Sequence, residues 1–332
     1  MTRETANYAK RRRIRKLQCE IEGQPQITAR AAIITTCTNR KRHAPEASLR
    51  AGELEAGSTA EVAAGWRERL ARAPRPWAVG SLYLGRSFTD ATAAAKTADA
   101  DLYIVSAGLG LISAQSLAPS YDLTVAPTAA DSVLRKTSSD ARSWWAQIED
   151  ALDPAPAFAG DGLILAALSR PYLDMVADAW TIWPRERLSR LRLFSKEAPV
   201  GLGEAFNKAW MPYDDRLDRF EGGRYAGTQG DFAQRALKHF VETIGVEPRD
   251  ASTHRDAVLA GLNGLTAAER PNRERHDDEQ LKVMIHRDWA VVGGRSGAML
   301  RHLRDTLGVA CEQGRFKVLF HAVAREREGS LL

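Results

Sequence analysis

Cysteine is scarce. Cys19, Cys37 and Cys311 are the three in 332 residues, far apart and without a C-x-x-C pair, which removes both a disulfide framework and a zinc ribbon. No stretch approaches the roughly 18 consecutive apolar residues of a membrane span, so no membrane association is expected. Charges at the N-terminus are not followed by an apolar stretch; no secretory signal is read there, and a cytoplasmic location is the expectation. Several enzyme signatures are also missing: G-x-x-x-x-G-K-[ST], H-E-x-x-H, H-x-E with a following P-C-x-x-C, and G-x-S-x-G. The seven histidines are scattered, and none stands at ligand spacing from a cysteine or carboxylate, so neither a metal nor a cofactor is expected. Gly108-Leu109-Gly110 follows a strand-like run, but Ser113 stands where a dinucleotide fingerprint needs its third glycine.

What is present is ordinary globular material, 44% hydrophobic and 27% charged, long enough for a large α/β core with an added module. The net charge of +5 is unevenly placed. Residues 1–16 hold seven basic side chains, among them Arg11, Arg12, Arg13, Arg15 and Lys16, against one acid; the rest of the chain has 40 basic and 41 acidic residues. A concentrated basic arm over residues 1–27 suits a phosphate backbone, although a solvated tail has the same composition.

Short apolar, β-branched runs recur along the chain. Ala31–Thr36 ends in the polar stretch Cys37-Thr38-Asn39-Arg40-Lys41; Asp101–Val105 ends in Ser106-Ala107-Gly108-Leu109-Gly110; Gly162–Leu168 ends in Ser169-Arg170-Pro171-Tyr172; Leu191–Phe194 is a weaker fourth. Helical spacing fills the intervals, at Glu61–Arg72, Phe88–Thr97 and Tyr172–Trp180. The alternation predicts an α/β domain over residues 28–220, with a central, mostly parallel sheet flanked by helices. In such sheets ligands collect beyond the carboxyl ends of the strands, so the three polar loops should converge on one cleft.

Residues 221–332 read as a helical, DNA-contacting segment. A glycine-rich loop with Thr228 and Gln229 opens a helix whose free N–H groups could meet phosphate, while a capped helix with a tight turn is the simpler reading. Near the end, two helices joined by Gly308-Val309-Ala310 match a helix-turn-helix spacing, with Arg301 and Arg304 as phosphate contacts; a simple helical hairpin gives the same pattern.

Four segments in order, Thr36-Cys37-Thr38-Asn39-Arg40-Lys41, Leu82-Tyr83-Leu84-Gly85-Arg86-Ser87-Phe88, Leu102 to Leu111 and Pro119-Ser120-Tyr121-Asp122-Leu123, resemble a bacterial family marked by C-x-x-K-K, L-Y-x-G-x-x-F, S-A-x-x-G-L and P-Y-D. That family is similar to the peroxide-stress protein YaaA and, more remotely, to the uracil-DNA-glycosylase-like domain of archaeosine synthase. The resemblance covers about residues 30–125. The chain departs from it at Asn39, where a lysine is usual, and beyond Gly222. It implies a uracil-DNA-glycosylase-like fold, and its functional parallel is the class of anti-phage DNA glycosylases that remove glucosylated hydroxymethylcytosine.

A cofactor-free DNA glycosylase acting on a modified or damaged, flipped-out base also fits the residues themselves. Breaking an N-glycosidic bond creates a cationic sugar, so the site needs a carboxylate, an amide to read a base edge and an aromatic face. Asp122, Asn39 and Tyr121 can supply these. Cys37, Thr38, Ser106, Ala107, Gly108, Leu109, Gly110, Arg170 and Tyr172 would line the base and sugar pocket, with Arg40 and Lys41 on phosphate. Each has a plainer role open to it: an Asx turn for Asp122, a cap for Asn39, a buried strand end for Cys37. A base-modifying transferase and a non-catalytic DNA-binding stress protein are the competing functions. Trp144, Trp145, Trp180 and Trp183 are read as core residues or, if exposed, as wedges for a DNA stack.

Overall fold

The computed structural model describes residues 30–127, 129–151, 158, 161–267 and 272–329; the basic arm with Arg11, Arg12, Arg13, Arg15 and Lys16 lies outside them. The chain divides into two compact units, Met1–Ala267 and Ala268–Leu332.

Five strands form the sheet of the first unit. β1 (Ala32–Thr36) lies at its centre, between β2 (Asp101–Ser106) and β4 (Ile164–Ala167), with β5 (Leu191–Phe194) beyond β4 and β3 (Gly110–Ser113) beyond β2. Every pairing is parallel except β2 with β3. The strands β4 and β5 are buried along their whole length. Burial on both faces is what βαβ crossovers produce and why these runs read as continuous apolar stretches in the sequence.

The covering helices follow from their apolar stripes. α1 (Thr59–Arg72) opens with a capping box between Ser58 and Glu61 and buries Val62, Ala63, Trp66 and Leu70. α2 (Arg86–Thr97) presents Phe88, Ala91, Ala94 and Ala95 to the sheet. α3 (Ala141–Ile148) and α4 (Arg170–Thr181) pack on each other, and α1 packs on α3. Trp144, Trp145 and Trp180 are buried in this layer and are therefore core residues, not wedges.

Two corrections to the sequence reading arise here. The helix α5 (Phe232–His239) packs against α2, β4 and β5, so the first unit continues to Ala267 and does not stop at 220. Its buried face, Phe232, Ala233, Ala236 and Leu237, needs the sheet to cover it. Secondly, Ser106–Gly110 is the tight turn of the β2–β3 hairpin and not an open loop, with Ala107 and Leu109 fully buried.

The second unit has its own apolar core of Leu281, Ile285, Met299, Leu303, Phe316 and Val323. These come from α7 (Asp278–Arg287), α8 (Ser296–Arg301) with the turn that follows it, and α9 (Gln313–Gly329), where α6 (Ala251–Gly261) closes the helices of the first unit. Val309–Ala310 does not form the short helix-turn-helix link. It pairs in parallel with Glu274–Arg275, so the two helices are separated by a strand-like step. Arg304 is half-buried and donates to the Cys311 carbonyl through Nε (3.1 Å) and a terminal nitrogen (2.7 Å), which explains it as a tie within the unit; Arg301 is exposed. No helix of the described residues is long and apolar enough to cross a membrane.

Candidate active site at the carboxyl edge of the sheet

The chain leaves β1 toward β2 on one side and later enters β4 on the other, so the carboxyl ends of β1 and β4 flank the point where strand order reverses. Ligands of open α/β sheets bind in that crevice. Cys37 follows β1, and its Sγ lies 3.0 Å from the hydroxyl of Tyr172, which α4 brings from the far side of the crevice.

The loop after β1 is held in place by backbone pairing. Arg42 N–H donates to Leu82 (2.8 Å) and Leu84 N–H to Arg40 (2.9 Å), while the Thr38 hydroxyl donates to the Leu84 carbonyl (2.9 Å). Lys41 thus stands directly opposite Tyr83 in an antiparallel bridge, which puts the two side chains on one side. The Lys41 ammonium sits 4.3 Å from the centre of the Tyr121 ring. Burial lowers its pKa below the ordinary lysine value, against the attraction of Cys37, Asp122 and Asp131. Lys41 is therefore part of the site, not a free surface contact for phosphate as its place in a basic run suggests.

Asp122 is fixed by its backbone. Its N–H donates to Leu49 (2.8 Å) and its carbonyl accepts from Ala51 (2.7 Å), leaving it opposite Arg50. A closed loop between Thr124 and Ser132 returns the chain, so that Asp131 reaches Asp122. Desolvation raises the Asp122 pKa first, and the Asp131 charge and hydrogen bond raise it further; Lys41 and Arg50 only partly counter them.

Tyr121 corrects the expectation of a stacking face. It is fully buried, its hydroxyl 2.6 Å from Ser106 Oγ and 2.9 Å from the Tyr83 hydroxyl. Ser106 Oγ already accepts the N–H groups of Gly108 (3.2 Å) and Leu109 (2.9 Å), so its own proton goes to Tyr121, and that of Tyr121 to Tyr83. Burial holds both phenols above the ordinary tyrosine value. The two glycines leave no room for sugar-phosphate either. A Cβ on Gly108 would lie 2.6 Å from the Tyr121 ring, and one on Gly110 would lie 2.1 Å from the Glu149 carbonyl oxygen. Their missing side chains make space for the protein's own atoms.

The chain matches no family model, no curated protein and no solved structure.

The crevice brings together Cys37, Lys41, Tyr121, Asp122 and Tyr172 from the sequence expectations. Asn39 and Arg40 are exposed on the same loop. Arg170 donates to Asp174 (2.8 Å) and to the Val200 carbonyl (3.1 Å), tying α4 to the loop beyond β5. Gln229 borders a cavity at these strand ends; Thr228 is exposed, and its carbonyl accepts from buried Arg235 (2.8 Å). Sequence reasoning missed Asp131, Arg50, Tyr83 and Gln234. Asp131 lies in an unremarkable Ala-Ala-Asp-Ser stretch, and only chain closure carries it to Asp122. Gln234 had one available signal, a polar residue falling on the flank of an apolar helical stripe. No group of three or more histidine, cysteine, aspartate or glutamate side chains able to hold a metal occurs among the described residues.

Proposed function

We propose that the protein is a DNA glycosylase that hydrolyses the N-glycosidic bond of a modified base, with an anti-phage role as the context the sequence resemblance suggests. The observation that carries the reading is the Asp122–Asp131 pair beside the desolvated ammonium of Lys41, at the carboxyl ends of parallel strands.

Departure of a base leaves positive charge on the sugar and negative charge on the base. Two carboxyl groups side by side can meet both: one, when ionised, stabilises the sugar cation and orients water, and the other, when protonated, supplies a proton to the leaving base. The Lys41 ammonium attracts the Asp122 carboxylate and so favours its ionised form. Tyr121, locked by Ser106 and Tyr83, positions Lys41 and does not touch the substrate. Asn39, exposed on the same loop, has an amide that can read a base edge from the entrance.

Incubation with hypermodified phage DNA and with unmodified DNA, no cofactor added, and mass spectrometry of released bases tests the reading. Base release with matching abasic sites is expected from the modified DNA, and Asp122→Asn should lower it by about 100-fold or more at nearly unchanged DNA affinity. Absence of abasic sites on every modified DNA would leave the DNA-binding alternative.

A further inference from the structure

Lys41 is the amine of the site, and its surroundings differ from those of the other half-buried lysines. Lys136 Nζ donates to the Gly52 carbonyl (2.8 Å), Lys238 Nζ to Asp90 (2.9 Å) and Lys196 Nζ to Asp215 (3.3 Å). The Lys41 ammonium makes neither a hydrogen bond nor an ion pair among the described residues and rests on the Tyr121 ring, 4.3 Å from its centre. Asp122 and Asp131 attract it from beyond ion-pair distance.

The ring beneath it is a fixed platform. Tyr121 is fully buried, and its hydroxyl is held between Ser106 Oγ and the Tyr83 hydroxyl. Lys41 is half-buried and stands opposite Tyr83 across the backbone bridge, so the amine is the outer member of the stack and the one a substrate can reach. A lysine without a counter-ion in a partly dehydrated place gives up its proton more readily than a solvated one, in keeping with the lowered pKa, and the neutral amine is a nucleophile toward carbonyl carbon. Departure of a base from DNA creates such a carbonyl, because the abasic sugar opens to an aldehyde at C1′.

We propose that the protein is also an abasic-site lyase, in which Lys41 Nζ forms a Schiff base with C1′ of the abasic deoxyribose and the strand is cut on the 3′ side of that sugar. The proposal rests on the glycosylase reading for the origin of the abasic site, while the lyase chemistry is independent of base release. The amine adds to the aldehyde carbon, the C1′ oxygen leaves as water, and a protonated imine remains. Ionised Asp122 takes a proton from C2′; the electron pair of that C–H bond becomes a carbon–carbon double bond, and the C3′–O bond breaks with its electrons on the departing phosphate. Water then hydrolyses the imine, which releases an unsaturated aldehyde on one fragment and restores the Lys41 amine.

The test gives the full chain DNA with one abasic site, made beforehand by excising uracil with a separate glycosylase, in the presence and absence of sodium cyanoborohydride. With the reductant, a covalent protein–DNA complex should form, and peptide mass spectrometry should place the adduct on Lys41; without it, the strand should be nicked at the abasic site. Lys41→Arg keeps the positive charge that a phosphate contact needs but has no amine for a stable Schiff base, so trapping and nicking should both fall by about 100-fold or more. The mapped adduct on wild type serves as the second measurement should the variant fail to fold. No covalent complex with wild type, an adduct on another lysine or on the terminal amine, or undiminished trapping by folded Lys41→Arg overturns the proposal. Base release from modified DNA with neither nick nor adduct also overturns it and leaves the glycosylase reading standing. Trapping at Lys41 and nicking of the prepared abasic DNA, with no base release from any DNA, upholds the lyase and removes the glycosylase reading.

Discussion

Asp122 gains its proton more readily than an ordinary aspartate because Asp131 shares its site in a partly dehydrated place. If ionised Asp122 is the group that stabilises the sugar cation, activity should fall as pH drops through its raised pKa. Asp131→Asn removes the like charge, which lowers the Asp122 pKa, so the acid limb of the pH–rate profile should move to lower pH. A limb that stays in place would show another group to control it. Lys41→Met should move the limb the other way, since the attraction that favours ionised Asp122 is lost. Of this arrangement, the sequence made Asp122 and the strand-end Cys37 legible, because strand ends and a Tyr-Asp pair after a proline are local signals. It could not show Asp131, because the contact depends on closure of the Thr124–Ser132 loop, nor the burial of Tyr121, which depends on Gly108 yielding space to the ring.

Among the elements, the β2–β3 hairpin and the sheet edge at β5 show how neighbouring segments decide what a residue does. Gly110 combines a φ of +79° with backbone only 2.1 Å from where a Cβ would lie. Gly110→Ala should therefore destabilise the first unit by about 3 kcal/mol, the sum of left-handed backbone strain and overpacking, read as a lower denaturant midpoint. A loss of only a few tenths would mean that the end of α3 can withdraw. At β5, buried Arg192 donates through Nε to His254 Nδ1 (2.9 Å) and holds α6 against the sheet, while the Tyr213 hydroxyl lies 2.8 Å from His239 Nδ1 on α5. An arginine can only donate, so His254 is neutral in the fold. Burial pushes both histidines down to about 4 from an ordinary 6.5, with the Arg192 charge adding to the shift at His254. Above the unfolded value both states bind no proton and stability is full; as pH falls from about 6.5 to about 4 only the unfolded chain takes up protons. Stability should then decline by as much as ~1.4 kcal/mol per pH unit for each histidine. His254→Gln keeps an acceptor for Arg192 without a titrating ring, so its denaturant midpoint should fall less steeply over that interval; an unchanged slope would assign the loss to other groups. The sequence made the strands and long helices legible through their periodicity. It gave no sign of Arg192 facing inward, because a charged residue inside an apolar run of four is indistinguishable from one at an exposed strand end.

For the whole molecule, the decisive division is the one between a unit that ends at Ala267 and has its own sheet and a shorter helical unit with its own core. The sequence-based boundary near 220 failed because a glycine-rich loop and a change to helix look like the start of a new domain, whereas α5 completes the layer over the sheet. A chain ended at Ala267 should accordingly keep the cooperative unfolding of the first unit. Charge is distributed on this scale as well. Beyond residue 16 the chain is nearly neutral, and several basic side chains of the second unit already serve internal contacts: Arg304 with Cys311, Arg315 with Asp278, Arg273 with Asp305. If DNA is the partner, the sequence-independent part of its binding should come chiefly from residues 1–16, with seven basic side chains against one acid. Each phosphate contact contributes about 0.9 to the slope of log affinity against log salt, so deleting these residues should flatten that slope by up to about 6 and weaken binding most at low salt. The fold should not change, which a matching denaturation curve checks, and reversing Arg301 to Glu should have a far smaller effect than the deletion. An unchanged salt slope in the shortened chain would remove the arm from the interface, and a larger loss from Arg301→Glu would move the interface to the second unit.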